Sequence, residues 1–153
     1  MEKVMVTANK QKVVSVLKIS AIALGVLAVI VVGYRYYNRP VQTWNADLFE
    51  GKNPDKIATK GQGQKYWQAS QQGQGFYVTD NSVAAGDLKT YCVSGAIGGV
   101  KGATAQFEFG GQSFNAKNGF FTRCADVTVQ ANRQIKFEVN DGELQVYRVD
   151  RKR

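Results

Sequence analysis

QIKFEVNDGELQVYRV, residues 134–149, is the most legible stretch of the chain. Apolar and polar residues alternate on both sides of Asp141–Gly142, which is the period of a strand with one buried face. With Asp141 and Gly142 as a two-residue turn, Val139 faces Leu144 and Phe137 faces Val146. Ile135, Phe137, Val139, Leu144 and Val146 then share an apolar face, while Lys136, Glu138 and Gln145 share the polar one. Register and turn chemistry agree, so a hairpin is expected.

The same pattern continues upstream. Gly110–Gly111 separates FEF (107–109) from QSF (112–114) and predicts a second hairpin with Phe107 across from Phe114. Further short β-branched and aromatic runs predict strands at 76–79, 88–94, 103–109, 112–116, 119–123, 126–131, 134–139 and 143–149. Eight half-buried strands in about 75 residues predict an all-β head, 76–150, built as a small antiparallel sandwich, jelly roll or partly open barrel. GAIGGVKGA (95–103) is too rich in glycine for a central strand and reads as a loop.

Ahead of the head, 59–75 (TKGQGQKYWQASQQGQG) reads as a Gly/Gln-rich stalk or exposed loop. It is interrupted by Tyr66 and Trp67, which either anchor the stalk or form a stacking platform. In 38–58, Pro40 is a natural helix stop, and Trp44, Leu48 and Phe49 suit a short helix or arm packed on the head. Together, 35–75 form the juxtamembrane segment.

Residues 13–34 (VVSVLKISAIALGVLAVIVVGY) hold one charge, Lys18, in 22 residues. As a helix they would be about 33 Å long, enough for a hydrocarbon core of about 30 Å. A cleaved secretory signal is one alternative, but the run is longer than a signal core and ends in Gly33, Tyr34, Arg35, Tyr36 and Tyr37 instead of a small-x-small site; a buried soluble-core helix is the other, but such helices rarely stay apolar all round for six turns. Lys18 can extend its ammonium toward the headgroups. The expectation is a single-pass transmembrane helix after a basic tail, 1–12. Lys3, Lys10, Lys12 and Lys18 outnumber Arg35 and Arg39, placing the N-terminus in the cytoplasm and the head outside it, or on a virus-particle membrane. Tyr34, Tyr36 and Tyr37 match an interfacial belt, with Lys12, Lys18 and Arg35 as flanking contacts to the lipid bilayer. Ala21 and Gly25 form a small-xxx-small pair through which two copies could associate.

Cys92 and Cys124 are the only cysteines, and in an oxidising compartment they are expected to pair. With no histidine and no close C-x-x-C spacing, a zinc site is not expected. The net charge of +8 is unevenly spread. Residues 1–40 carry six basic side chains and one acid, 41–150 carry eleven of each, and Arg151, Lys152 and Arg153 form a basic tail. A neutral head lacks the clustered cationic face that phosphate binding needs, so nucleic acid is not an expected partner.

Lack of histidine also removes the commonest general base. Asp80, Asp87, Glu108, Asp126, Glu138, Asp141 and Glu143 fall on expected turns or outward positions, the glycine pairs match no phosphate loop, and Asn140–Glu143 lacks the ligand spacing of a calcium loop. No enzyme activity and no cofactor are expected. Binding or assembly remains, with Tyr66, Trp67, Tyr77, Tyr91, Phe120 and Phe121 as candidate contacts and Tyr147 as further aromatic surface. The first reading is a structural or assembly protein whose head binds a shell or envelope protein. The alternative is a membrane-anchored glycan- or peptide-binding module, with Asn115, Asn118 and Gln112 supplying polar groups.

Overall fold

The computed structural model describes residues 22–51, 57–60, 63–99 and 102–153, in two compact units divided after Arg39. In the first, α1 spans 22–37. It ends where the backbone N–H and side-chain amide of Asn38 both donate to the Tyr34 carbonyl, at 3.0 and 2.9 Å, two residues before Pro40. Its side chains, from Ile22 to Tyr37, are exposed. No helix among the described residues is long and apolar enough to cross a membrane. The earlier part of the expected span, with Lys18 and Ala21, lies outside the described residues, as do Lys12 and the rest of 1–12.

Pro40–Arg153 is a sandwich of two antiparallel sheets. Its strands are β1 (Gln42–Asn45), β2 (Ile57–Lys60), β3 (Gln64–Ala69), β4 (Gly75–Thr79), β5 (Leu88–Ile97), β6 (Thr104–Phe109), β7 (Gln112–Lys117), β8 (Gly119–Thr128), β9 (Gln134–Asp141) and β10 (Leu144–Arg151). The first sheet runs β2-β3-β10-β5-β8, with β1 pairing the last residues of β10 beyond the reach of β3; the second runs β4-β9-β6-β7. From β3 onward, every connection crosses between the sheets except the β6–β7 hairpin, which gives the double Greek key of a jelly roll. That hairpin sets Phe107 opposite Phe114, the expected register.

The 134–149 stretch behaves differently. β9 pairs with β4 and β6, whereas β10 pairs with β1, β3 and β5, so the two do not form a hairpin. They form an arch whose arms lie in opposite sheets. Ile135, Phe137, Val139, Leu144 and Val146 are all buried, as their alternation demands, but they meet across the core. A period of two says which side chains turn inward and is silent on which strand lies alongside. Gly142 makes the arch possible: its φ is +85°, and a Cβ there would lie 2.5 Å from the Thr104 carbonyl oxygen.

Three other expectations change. The 59–75 stalk contains the end of β2 and the whole of β3, and Trp67 is 2% exposed within the core. Its flanking glycines and glutamines hid an alternating strand in which Trp67 and Ala69 point inward. Residues 119–128 are one continuous strand, β8, with Phe121 and Ala125 inward, and β5 extends through Gly95 to Ile97. Gly95 fits because its backbone passes against the Gln145 carbonyl, where a side chain has no room. Trp44 and Phe49 do pack into the core, whereas Leu48 is exposed.

Aromatic rings run through the core. Phe49 stacks on Phe76 at 4.0 Å, Phe76 on Phe137 at 4.9 Å and Phe137 on Phe107 at 5.0 Å, with Trp67 edge-on to Phe76 at 5.1 Å. Among the described residues, the core side chains of the sandwich run from Trp44 to Val149. Cys92 and Cys124 are direct partners on β5 and β8 and form a disulfide closing 32 residues of chain.

Candidate ligand-binding face

The outer face of the first sheet carries one exposed aromatic side chain, Phe120, and two half-buried ones, Tyr66 and Tyr147. Trp67 and Phe121 point into the core, so Tyr66 on β3 and Phe120 on β8 point out. Between them, β10 has a bulge after Val146. Val146 and Val149 are both buried, so the two residues between them, Tyr147 and Arg148, share the outer side; re-aiming side chains is a usual consequence of a bulge. The Tyr147 ring meets Tyr66 edge-on at 6.3 Å and Phe120 at 6.3 Å. Three rings from three strands therefore form a strip across the sheet. Ala96, paired with both Gln145 and Phe120, is the small residue on the intervening β5. Phe120 is 82% exposed, unusual for a large apolar side chain.

Beside the strip lies a cavity of about 380 Å3, lined by Asn45, Asp47, Gly63, Lys65, Tyr147 and Arg148. Amide, carboxylate, ammonium and guanidinium groups thus flank one aromatic wall. Its charges are loosely matched: Lys65 lies 3.9 Å from Asp47, and Arg148 pairs with the buried Asp150 at 3.2 Å. The Thr43 hydroxyl also donates to Asp150, at 2.7 Å, which fixes the carboxylate that holds Arg148. Farther along the sheet, the Gln68 amide donates to Glu143 at 2.7 Å. The Tyr147 hydroxyl is buried without a hydrogen-bond partner among the described residues, a state that costs about 1–3 kcal/mol.

The sequence-predicted contact residues do not form one set. Tyr66 and Phe120 lie on this face, Tyr77 is on the outer side of the second sheet opposite Lys136, and Trp67, Tyr91 and Phe121 are core. Asn115 and Gln112 belong to β7 of the second sheet, and Asn118 follows it. Sequence reasoning missed Asn45, Lys65 and Arg148 and left Tyr147 as unassigned aromatic surface, because the bulge that turns Tyr147 and Arg148 to one side leaves no mark in the alternation.

A second polar cluster is structural. Asp80, expected on the surface, is buried, and Arg151, expected in a solvated tail, is the last residue of β10 and pairs with it at 2.8 Å. The Ser82 backbone N–H and hydroxyl donate to Asp80 at 3.1 and 2.6 Å, and the Tyr91 hydroxyl donates at 2.9 Å. Burial opposes ionisation of Asp80, but these hydrogen bonds and the Arg151 charge outweigh it and hold the carboxyl below its ordinary 3.8. Burial and then the adjacent carboxylate push the Tyr91 hydroxyl well above its ordinary 10.0. Asp80 accepts from Ser82, Tyr91 and Arg151, and Arg151 also donates to Ser82, so the cluster ties the loop after β4 to β5 and β10. Among the described residues, no group of acids and cysteines could hold a metal ion.

No protein-family model matches the chain, and no curated protein matches it. Among solved structures, the chain is similar to a carbohydrate-binding module, CBM36, in complex with calcium and xylotriose, at 13% identity and a TM-score of 0.49, over 73% of this chain and 100% of that one. It is also similar to a family 35 carbohydrate-binding module from Clostridium thermocellum, at 11% identity and a TM-score of 0.44, over 74% of this chain and 99% of that one. The assignment as a two-sheet jelly roll rests on the strand pairing of this chain.

Proposed function

We propose that the protein is a membrane-anchored, non-catalytic binding protein whose jelly-roll head takes a carbohydrate on the outer face of its first sheet, outside the cytoplasm. The observation that carries this reading is the strip of Tyr66, Tyr147 and Phe120 beside a polar cavity. Pyranose rings present apolar faces that stack on aromatic rings and equatorial hydroxyls that need both donors and acceptors. Asn45, Asp47, Lys65 and Arg148 supply both kinds around one cavity, and its volume lies in the range of small-molecule sites. A protein partner docking by hot spots would be better served by a larger apolar patch with a polar rim. The apolar run 13–34 supports the anchor, and the lack of histidine in the chain supports a binding role over a catalytic one.

The test is a glycan array probed with residues 40–153, followed by calorimetry on the best ligand. Phe120→Ser should lower affinity at least about fivefold, since stacking on one aromatic ring contributes about 1–3 kcal/mol in comparable aromatic platforms, while leaving the melting temperature unchanged. An empty array, together with recurrent cross-links from Lys65 to one shell or envelope protein in intact cells, would replace the glycan with a protein partner.

A further inference from the structure

The cavity beside Tyr147 occupies only part of the outer face of the first sheet. Of the three rings in the strip, Tyr147 alone lines it, so a ligand no larger than that space meets one ring and leaves Phe120 untouched. The strip continues past it. Phe120 is 82% exposed on β8, the last strand of the sheet, with its ring 6.3 Å from that of Tyr147. The three rings do not share a plane: Tyr66 stands at 89° to Tyr147, and Phe120 at 45° to it, in keeping with a sheet that twists from strand to strand. Polar groups flank the strip on both long sides. Toward the β9–β10 arch, Gln145 and Gln68 are direct partners whose neighbours in the chain are buried, so both amides turn outward, that of Gln68 donating to Glu143. On the other side, Ser94 and Thr122 share a hydrogen bond of 3.0 Å, which uses one of their two hydroxyl protons.

Given the carbohydrate reading, on which this depends, we infer that the face takes several consecutive units of a single soluble glycan, in preference to one sugar or a crystalline polysaccharide. Crystalline polysaccharides present flat faces of side-by-side chains, which only coplanar rings can follow. Rings set at 89° and 45° to their neighbour instead fit a glycan whose successive units turn about their linkages in solution. The cavity holds one unit against Tyr147, and the next units run toward Phe120, so that different rings stack on different units. The amides of Gln68 and Gln145 and the hydroxyls of Ser94 and Thr122 meet the hydroxyl groups that a glycan carries on both of its edges. Phe120 stands on the edge strand, and a longer glycan can run on past it.

Calorimetry on the full chain, kept soluble in a sugar-free detergent, tests this with ladders of one to six units built from glucose, xylose, mannose, galactose, galacturonic acid or N-acetylglucosamine. In the ladder that binds, affinity should rise with length by at least about fivefold for each further ring reached, and level off once the strip is covered. Phe120→Ser should remove the gain at the longer lengths and leave the affinity for the monosaccharide unchanged, a pattern that a loss of folding cannot produce. Microcrystalline cellulose and chitin should leave the protein in the supernatant. A monosaccharide bound as tightly as the hexamer, an equal effect of Phe120→Ser at every length, or retention on the crystals without binding to any ladder would overturn the inference while leaving carbohydrate binding standing. No binding to either ladders or crystals would overturn the carbohydrate reading and this inference together.

Discussion

Arg151→Met isolates the buried pair that joins the end of β10 to the loop after β4. Asp80 is 1% exposed and the Arg151 side chain 10%, so water screens the pair little. Removing one partner of a buried pair costs about 3–5 kcal/mol. Here three donor contacts remain, two from Ser82 and one from Tyr91, so a loss near about 3 kcal/mol is expected. Urea unfolding of residues 40–153 with the disulfide intact measures it. Asp80→Asn in the same background removes the stranded charge, so the double variant should be at least about 1 kcal/mol more stable than the sum of the single losses implies. The pH dependence has a defined sign. Because the folded pKa of Asp80 lies below its unfolded value near 3.8, its contribution is fully present above that value and is lost as pH falls through the lower folded one. Asp80→Asn should therefore flatten the acid limb of the stability curve while leaving the region between pH 5 and 8 parallel. An Arg151→Met variant within about 1 kcal/mol of the parent, or strict additivity in the double variant, would show that the pair does not close the fold.

Two other outcomes follow from the packing. Replacing both Cys92 and Cys124 by Ser should lower stability by about 3–4 kcal/mol, the entropy of a loop of this length, and the parent should show no titratable thiol until it is reduced and unfolded. Trp67→Ala should cost about 3–5 kcal/mol by thermal melting, because the ring lies among Phe76 and Phe137; a change of a few tenths would return 64–69 to the role of an exposed stalk.

Most strands from Phe76 onward were legible in the alternation of their side chains. Ile135, Phe137, Val139, Leu144 and Val146 read as inward from sequence and are buried. Their partners were not legible, because Asp141–Gly142 suits a tight hairpin and an arch between sheets equally well, and only the rest of the sandwich decides. Gln64–Ala69 was lost for another reason: glycine and glutamine on either side lowered its apparent strand propensity, although Trp67 and Ala69 keep the alternation. In the candidate site, Tyr66 and Phe120 were visible as aromatics without a core assignment. Tyr147 joins them through a one-residue irregularity in pairing, which depends on contacts between distant strands.

The attachment of β1 has a mechanical consequence. β1 runs antiparallel to β10, with Gln42 beside Arg151 and Asn45 beside Arg148. On the function proposed above, tension along the chain enters the head at Gln42 and leaves it through Tyr147, so β1 is loaded against β10 along the strand axis. The hydrogen bonds between the two strands would then bear the force together, in shear, and could not open one after another like a zip. Four paired residues are few, but loaded this way they resist as a group, and the Asp80–Arg151 pair clamps the end of β10 where the tension enters. On that proposed reading, the head keeps its grip while the surface it binds moves.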